Sequence, residues 1–82
     1  MAFLFNVGQK LSCLKLLTQE RAAWTEGLHC VVRHRMHDID TGTDCYVLHE
    51  FYYTDYQPQG ELRVVAKAEV EKEYVPYTVS TN

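Results

Sequence analysis

The sequence lacks any long apolar run. None of its uninterrupted apolar segments approaches the roughly 18–20 residues that a membrane-spanning helix requires. Residues 1–5 are too short for the apolar core of a signal peptide and have no basic flank. These absences predict a cytoplasmic protein without a membrane partner.

A strong excess of charge of either sign is also missing. Eight Lys and Arg residues stand against eleven Asp and Glu residues, which gives a formal net charge of −3. Proteins that bind nucleic-acid backbones carry a marked basic excess, so this balance argues against a nucleic-acid partner. Protonation of the four histidines would reverse the sign of the net charge, and we therefore expect surface properties that change between about pH 5 and 7.

Cysteine spacing typical of disulfide frameworks or zinc sites is absent too. The three cysteines, Cys13, Cys30 and Cys45, are odd in number and form no CxxC motif. This pattern predicts reduced, partly buried thiols in a reducing compartment. With 46% hydrophobic and 23% charged residues the composition is that of a globular chain. The length predicts one domain over residues 1–82, with a frayed tail at 80–82.

A long β-hairpin is the clearest predicted element. Residues 28–38 and 45–55 flank the turn sequence Asp-Thr-Gly-Thr, which is rich in residues that close hairpins. With Thr41 and Gly42 at the tip, apolar side chains gather on one face, whereas a one-residue slip mixes apolar and polar side chains on both faces. The predicted pairs are Val32 with Phe51, Arg33 with Glu50, His34 with His49, Met36 with Val47 and Cys30 with Tyr53.

Two further strands are predicted after the hairpin. Residues 62–70 alternate between apolar and polar side chains after the turn at 56–60, which predicts a third, half-buried strand. Pro76 cannot donate a backbone hydrogen bond, so residues 74–79 are predicted as an edge strand or a short closing strand. We expect both segments to complete an antiparallel sheet.

The N-terminal third permits two interpretations. Three apolar residues alternate as they would in a strand: Val7, Leu11 and Cys13. Asn6 and Gln9 instead have the spacing of a helix cap, and residues 19–24 favour helix. We favour a strand followed by a loop with one helical turn near residues 18–23.

Two segments in the first third of the chain combine glycine turns with alternating apolar residues. They are residues 5–14, Phe-Asn-Val-Gly-Gln-Lys-Leu-Ser-Cys-Leu, and residues 24–32, Trp-Thr-Glu-Gly-Leu-His-Cys-Val-Val. Their succession resembles the opening of small SH3-like barrels of phage and bacterial proteins, although Cys30 stands where an aromatic residue is usual. The resemblance implies five short antiparallel strands in a half-open barrel with a binding role.

The fold class follows from the strand pattern together with this resemblance. We expect a mostly β fold, namely a small antiparallel half-open SH3-like barrel with a long central hairpin. The alternative is an α+β fold in which an N-terminal helix packs on a three- to four-stranded antiparallel sheet. Helix or strand over residues 9–24 distinguishes the two.

His34 and His49 are the candidate metal ligands. The predicted register places them directly opposite each other, with Cβ atoms about 5 Å apart. A zinc site needs three or four ligands within about 2.0–2.3 Å of the ion, and a two-stranded ribbon rarely supplies them. The favoured interpretation is a histidine pair at the margin of the core, with no metal and no cofactor.

No arrangement of residues predicts catalysis. Cys30 with His34, and Cys45 with His49, each share a strand face at a spacing of four residues. Four residues of strand span about 13 Å, which is too far for a histidine to activate a thiol. We therefore expect a protein that is not an enzyme.

The second face of the predicted hairpin has the composition of a protein interface. It combines arginine and tyrosine with apolar side chains, whereas a solvated face would carry mainly Lys, Glu, Thr and Ser. The predicted partner-binding residues are Arg33, Arg35, Tyr46, Leu48, Tyr52 and Trp24. A structural alternative has equal weight: the N-terminal segment, with Leu16 and Trp24, covers this face as a second core.

Together these observations predict a small protein-binding module. The resemblance to phage proteins implies an inhibitor or modulator of a host protein that acts in the host cytoplasm. Two alternatives stay open. One is a single-stranded nucleic-acid-binding domain that stacks bases on exposed Tyr and Arg, and the other is a structural or homodimerising protein that pairs through the same hairpin face.

Overall fold

The computed structural model describes residues 2–19, 28–51 and 58–77, and over residues 58–61 it describes the backbone alone. Its strands are β1 (Lys10–Cys13), β2 (His29–Asp38), β3 (Thr43–Phe51), β4 (Pro58–Ala66) and β5 (Tyr74–Pro76). Two short helices, α1 (Leu14–Leu17) and α2 (Lys67–Glu73), follow β1 and β4. The strands form one open antiparallel sheet in the order β4-β3-β2-β1-β5, so the prediction of a small, mostly β antiparallel fold is confirmed.

The N-terminal third begins as the favoured interpretation predicts. Residues Lys10–Cys13 form a strand that pairs with both β2 and β5. A helical turn lies at Leu14–Leu17, and none of its residues is buried; most of the turn predicted near residues 18–23 lies outside the described residues. A four-residue helix with no buried side chain cannot form a layer on the sheet, so this segment does not form the packed helix of the α+β alternative. Residues 20–27 lie outside the described part of the chain.

The hairpin is present, but its predicted register is wrong. Val32 lies opposite Leu48 instead of Phe51, and Cys30 lies opposite Glu50 instead of Tyr53. The first cause is the turn, which has four residues between Asp38 and Thr43 rather than two at the tip. Gly42 adopts a φ of 69° and donates its backbone N–H to the Asp38 carbonyl at 2.7 Å, and this conformation favours glycine.

A β-bulge at Arg33 is the second cause of the register error. Pairing is regular on either side of it, with Val32 opposite Leu48 and His34 opposite Val47. Arg33 is therefore an extra residue on β2, and an extra residue reverses the alternation of side chains beyond it. Arg33 does not pair with Glu50. Even-numbered residues of β2 are on the core face before the bulge, and odd-numbered residues are on it after the bulge.

The predicted third strand ends four residues early. Residues 58–66 form β4, but Lys67–Glu73 form helix α2, so the strand assignment of residues 67–70 is wrong. This segment is rich in good helix formers, and the Lys67 ammonium lies 3.1 Å from Glu71 Oε1, one helical turn away. Val70 is fully buried and anchors the helix on the sheet. In this helix Val70 is buried and Ala68 is exposed, so the alternation of small apolar residues does not mark one buried strand face.

The strand that contains Pro76 lies at an edge of the sheet, as predicted. Tyr74–Pro76 form β5, which pairs with β1 alone and lies at one edge of the sheet. The edge position tolerates Pro76 because its outer side needs no backbone donor. The rest of the predicted strand, at 78–79, and the predicted frayed tail at 80–82 lie outside the described residues.

The sheet curls around its core. Arg63 of β4 donates a hydrogen bond of 3.0 Å to the hydroxyl of Tyr74 in β5, although these strands lie at opposite ends of the strand order. In a flat sheet four strand spacings would separate them by about 19 Å, which the two side chains cannot bridge. The two edges therefore approach each other without any described backbone pairing between β4 and β5.

The core combines residues from both predicted faces of the hairpin: Cys30 and Val32 come from the predicted core face, and Tyr46 and Leu48 from the predicted partner surface. Its members are Phe5, Leu11, Cys30, Val32, Tyr46, Leu48, Val70 and Tyr74. Tyr46 and Leu48 are fully buried, so their assignment to an exposed binding face is wrong. Phe5 from the N-terminal segment and Val70 from α2 cover this face. The structural alternative proposed that an N-terminal segment with Leu16 and Trp24 covers this face. Phe3 and Phe5 of the N-terminal segment do so instead of Leu16, and Trp24 lies outside the described residues.

Candidate interaction surface

The sheet face opposite the core carries exposed apolar side chains on β2 and β4, the two strands that flank β3. Met36 of β2 is 40% exposed and Val64 of β4 is 61% exposed. Between them lies the buried Val47 of β3, because the registers place Val47 opposite His34 on one side and Val64 on the other. Leu62, 53% exposed, extends the apolar surface along β4. We call Met36, Val47, Leu62 and Val64 the outer patch.

The outer patch was missed by sequence reasoning because Met36 and Val47 were placed in the core. The predicted register put both residues on the face with Val32 and Phe51, and the bulge moves Val32 to the other face. Val64 sits in the segment predicted as a half-buried strand. Nothing in its sequence pattern shows that β4 is the last strand of the sheet.

Polar residues lie around the outer patch. His34 is exposed and stands directly opposite Val47, and Arg33 is exposed at the bulge beside it. His49 is half-buried and belongs to the same strand face as Val47. An apolar centre with a polar rim is the usual anatomy of a protein interface.

Arg35 has a structural role at the opposite face. Its guanidinium lies 5.5 Å from the centre of the Phe3 ring and contacts the Phe5 carbonyl oxygen at 3.5 Å. These contacts hold the N-terminal segment against the sheet, and a cation over an aromatic face adds modest stability. Of the predicted partner-binding residues, Arg33 and Arg35 are thus exposed, Tyr46 and Leu48 are buried, and Tyr52 and Trp24 lie outside the described residues.

The predicted histidine pair is not formed. His34 lies opposite Val47 and His49 lies opposite Val31, so the two imidazoles are offset along the sheet. Within the described ranges, no three His, Cys, Asp or Glu residues are grouped so that they could hold a metal ion. The register error explains the difference, because the bulge and the longer turn both move β3 relative to β2.

A serine–histidine pair lies within the sheet. Ser12 Oγ and His29 Nδ1 are hydrogen-bonded at 2.9 Å across β1 and β2, and both residues are buried. The His29 ring stacks on Phe51 and meets the Tyr77 ring edge to face. Burial lowers the pKa of His29, which favours the neutral imidazole. This geometry resembles a nucleophile with its base, but its burial against aromatic rings indicates a bond that joins two strands.

A histidine–aspartate pair, His37 with Asp44, lines a surface cleft near the hairpin turn. His37 Nδ1 lies 2.6 Å from Asp44 Oδ1, and the cleft beside them has a volume of about 280 Å³. Asp44 orients the imidazole, while the nearby Lys67 is paired with Glu71. The His37 imidazole, which could bind a proton, and the Lys67 ammonium, which could bind an anion, are therefore each already paired with a carboxylate. The cleft supplies one oriented histidine and no further catalytic partner among its described lining residues.

The Cys30 thiol is part of the core. It is fully buried, and desolvation raises its pKa to about 12 even though Arg63 acts in the opposite direction. A thiol with such a pKa is almost entirely protonated at neutral pH and is a poor nucleophile. Cys30 therefore contributes packing, in agreement with the structural interpretation of the cysteines.

No protein-family model, curated protein or solved structure matches the chain. Neither described helix is long and apolar enough to cross a membrane. The outer patch is the feature of the described surface that bears most directly on function.

Proposed function

We propose that this protein is a small protein-binding module that uses the outer patch as its interaction surface. The observation that carries the proposal is the exposure of Met36 on β2 and of Leu62 and Val64 on β4, on the same face of one sheet and on either side of β3. Where one face of a sheet is only solvated, its strands alternate apolar residues on the core face with polar residues on the outer face. Contiguous exposed apolar side chains instead mark surfaces that are covered by a partner.

The edge strand adds a second means of recognition. β4 lies at the end of the strand order, and a partner segment can add to such an edge by backbone hydrogen bonding. Val64 belongs to both surfaces, since it lies on the edge strand and in the outer patch. The binding role implied by the resemblance to SH3-like barrels agrees with this proposal. The proposal includes no catalytic step, in keeping with the expectation that the protein is not an enzyme.

The finer role as an inhibitor or modulator of a host protein is supported by the resemblance to phage proteins alone. The nucleic-acid alternative needs exposed rings for stacking. The described aromatic side chains are buried or half-buried: Phe3, Phe5, Tyr46, Phe51, Tyr74 and Tyr77. Tyr52, Tyr53 and Tyr56 lie outside the described residues, so the described surface favours a protein partner.

Photo-crosslinking tests the proposed surface. A photoreactive amino acid is placed singly at position 36, 62 or 64, and at position 39 as the control. Ile39 is 87% exposed but lies at the hairpin turn, away from the outer patch. We expect the first three positions to yield one common crosslinked product and position 39 to yield none of it.

Competition shows whether that product depends on the patch. Excess unlabelled protein should suppress the crosslink, and the Met36→Lys variant should suppress it much less well. The proposal is wrong if the three patch positions give no product, or if position 39 gives the same product in equal yield.

A further inference from the structure

We propose that a second copy of this chain pairs with the edge of β4, in antiparallel orientation and centred on Val64, so that two sheets become one. The inference rests on the proposed function, because it names the occupant of the edge beside the outer patch. Three observations support the inference. β4 lies at an edge of the described sheet, the second half of β4 lacks the features that usually prevent strand addition, and its sequence can pair with a second copy of itself.

β4 is the open edge of the sheet. On one side it pairs with β3 from Pro58 to Ala66, and no described strand pairs with its other side. The opposite edge, β5, has three residues and contains Pro76. A short edge with proline resists the addition of strands. The nine-residue β4 is therefore the edge at which pairing is expected.

The second half of β4 lacks the features that usually protect an edge. Pro58 and the register irregularity between Leu48 and Glu50 both affect its first half. From Arg63 to Ala66 the pairing with β3 is regular and free of proline, and Arg63 is the single charged residue there. The Arg63 guanidinium is bound to the Tyr74 hydroxyl across the core face. Arg63 lies opposite the core residue Leu48, so its charge is on the core face, whereas Val64 is on the outer face.

The same segment fits itself in antiparallel orientation. In a pair centred on Val64, this residue lies opposite the partner's Val64, and Arg63 lies opposite the partner's Val65. Leu62 lies opposite the partner's Ala66. Apolar residues therefore meet apolar residues next to the outer patch, and no like charges stand opposite each other. A pair centred on Arg63 would instead place two guanidinium groups opposite each other, which is unfavourable.

Such a pair would be isologous, since each copy contributes the same five residues. A two-fold symmetric contact is the commonest form of self-association in soluble proteins. It would make the outer patches of the two copies continuous, because Val64 of each copy lies next to the two-fold axis. The contact is short, and we expect reversible association that depends on protein concentration.

Charge reversal at the symmetry axis tests this arrangement. Sedimentation velocity over a concentration series should show the wild-type mass rising from 9.6 kDa towards twice that value. Val64→Lys and Val64→Glu should each remain monomeric, because each places two like charges opposite each other. An equimolar mixture of the two variants should recover the dimer, since unlike charges then meet at the axis.

Val7→Lys is the matched control, because Val7 is 55% exposed and lies outside the strands. It should dimerise as the wild type does. Circular dichroism and the melting temperature should be the same for the control and for both Val64 variants, since Val64 is largely exposed. A dimer that persists in both Val64 variants overturns the inference, and so does a mixture that stays monomeric.

The outcome also separates this inference from the proposed function. A wild-type chain that stays monomeric, but crosslinks to a different protein through positions 36, 62 and 64, overturns the inference and leaves the proposed function intact. A dimer that is lost in the Val64 variants, with a position-64 crosslink of twice the chain mass, supports the inference. A monomeric chain with no crosslink from any patch position overturns both.

Discussion

The Tyr46 hydroxyl donates a hydrogen bond of 2.6 Å to Glu71 Oε2, and so joins β3 to α2 beneath the N-terminal segment. The same carboxylate oxygen accepts the backbone N–H of Leu4 at 2.9 Å, and the Tyr46 oxygen accepts the N–H of Phe5 at 3.0 Å. Lys67 lies 3.1 Å from the other carboxylate oxygen. These bonds hold Phe5 over the core, so the N-terminal segment depends on a buried tyrosine and a single glutamate.

The first prediction concerns the coupling between Tyr46 and Glu71. Tyr46→Phe and Glu71→Gln should each lower the free energy of unfolding by about 1–3 kcal/mol, because each leaves a buried polar group with fewer partners. The double variant should lose less than the sum of the two, by at least about 0.5 kcal/mol, because both changes break the same bond. Urea denaturation measures all four free energies. Glu69→Gln, at an exposed position on the same helix, is the control and should change stability little. Strictly additive effects would contradict the coupling.

A second prediction concerns acid stability. Burial raises the pKa of Glu71, but hydrogen bonds from Tyr46 and Leu4 and the ion pair with Lys67 outweigh it, so the pKa lies below its usual 4.5. The unfolded chain therefore binds this proton first as the pH falls. The stability that ionised Glu71 provides is present above pH 4.5 and is lost as the pH falls through the lowered folded-state pKa. Glu71→Gln should remove this acid-dependent loss, measured as the free energy of unfolding against pH, and Glu69→Gln should retain it.

The third prediction concerns His29 and applies to a higher pH range. Burial holds the pKa of His29 below its usual 6.5. The contribution of the neutral imidazole is therefore present above pH 6.5 and is lost as the pH falls through the lowered folded-state pKa. His29→Gln should flatten the decline in the free energy of unfolding below pH 6.5. Glutamine keeps a hydrogen-bonding group beside Ser12.

His34→Gln is the control for that measurement, because it replaces an exposed histidine on the same strand. The two variants should differ in the pH dependence of unfolding. An equal loss of slope in both would mean that the decline does not come from the buried ring.

The fourth prediction tests the bulge. Deleting Arg33 should leave a cooperatively folded protein, because Val32 and His34 would keep their partners Leu48 and Val47 in a regular ladder. Deleting Val47 should abolish cooperative unfolding, because it reverses the faces of β3 and moves Tyr46 or Leu48 out of the core. Burial of each such side chain contributes about 1.5–3 kcal/mol, which a small domain cannot readily lose. Thermal unfolding followed by near-ultraviolet circular dichroism compares the two. Equal damage from both deletions would contradict the assignment of Arg33 as the extra residue.

The bulge residue Arg33 is one reason why the outer patch could not be predicted from the sequence. Arg33 looks like any other exposed strand residue, and its neighbours satisfy alternation in the predicted register as well as in the observed one. The choice between those registers depends on the four-residue turn and on the covering of Tyr46 and Leu48 by Phe5 and Val70. Both covering residues are distant from the hairpin in sequence. A rule based on neighbouring residues therefore assigns Tyr46 and Leu48 to the surface and Met36 to the core.

Alternation, turn residues and Pro76 were by themselves enough to determine a mostly β antiparallel chain with a central hairpin and a short edge strand, because these features depend on residues close together in the chain. The tertiary structure alone decided which hairpin face is buried and whether Lys67–Glu73 is strand or helix. It also placed β4 at the end of the strand order, with no described strand on its outer side. These outcomes depend on which distant segments remove which apolar side chains from water. In an 82-residue chain, Phe5 and Val70 can cover only one face of the sheet.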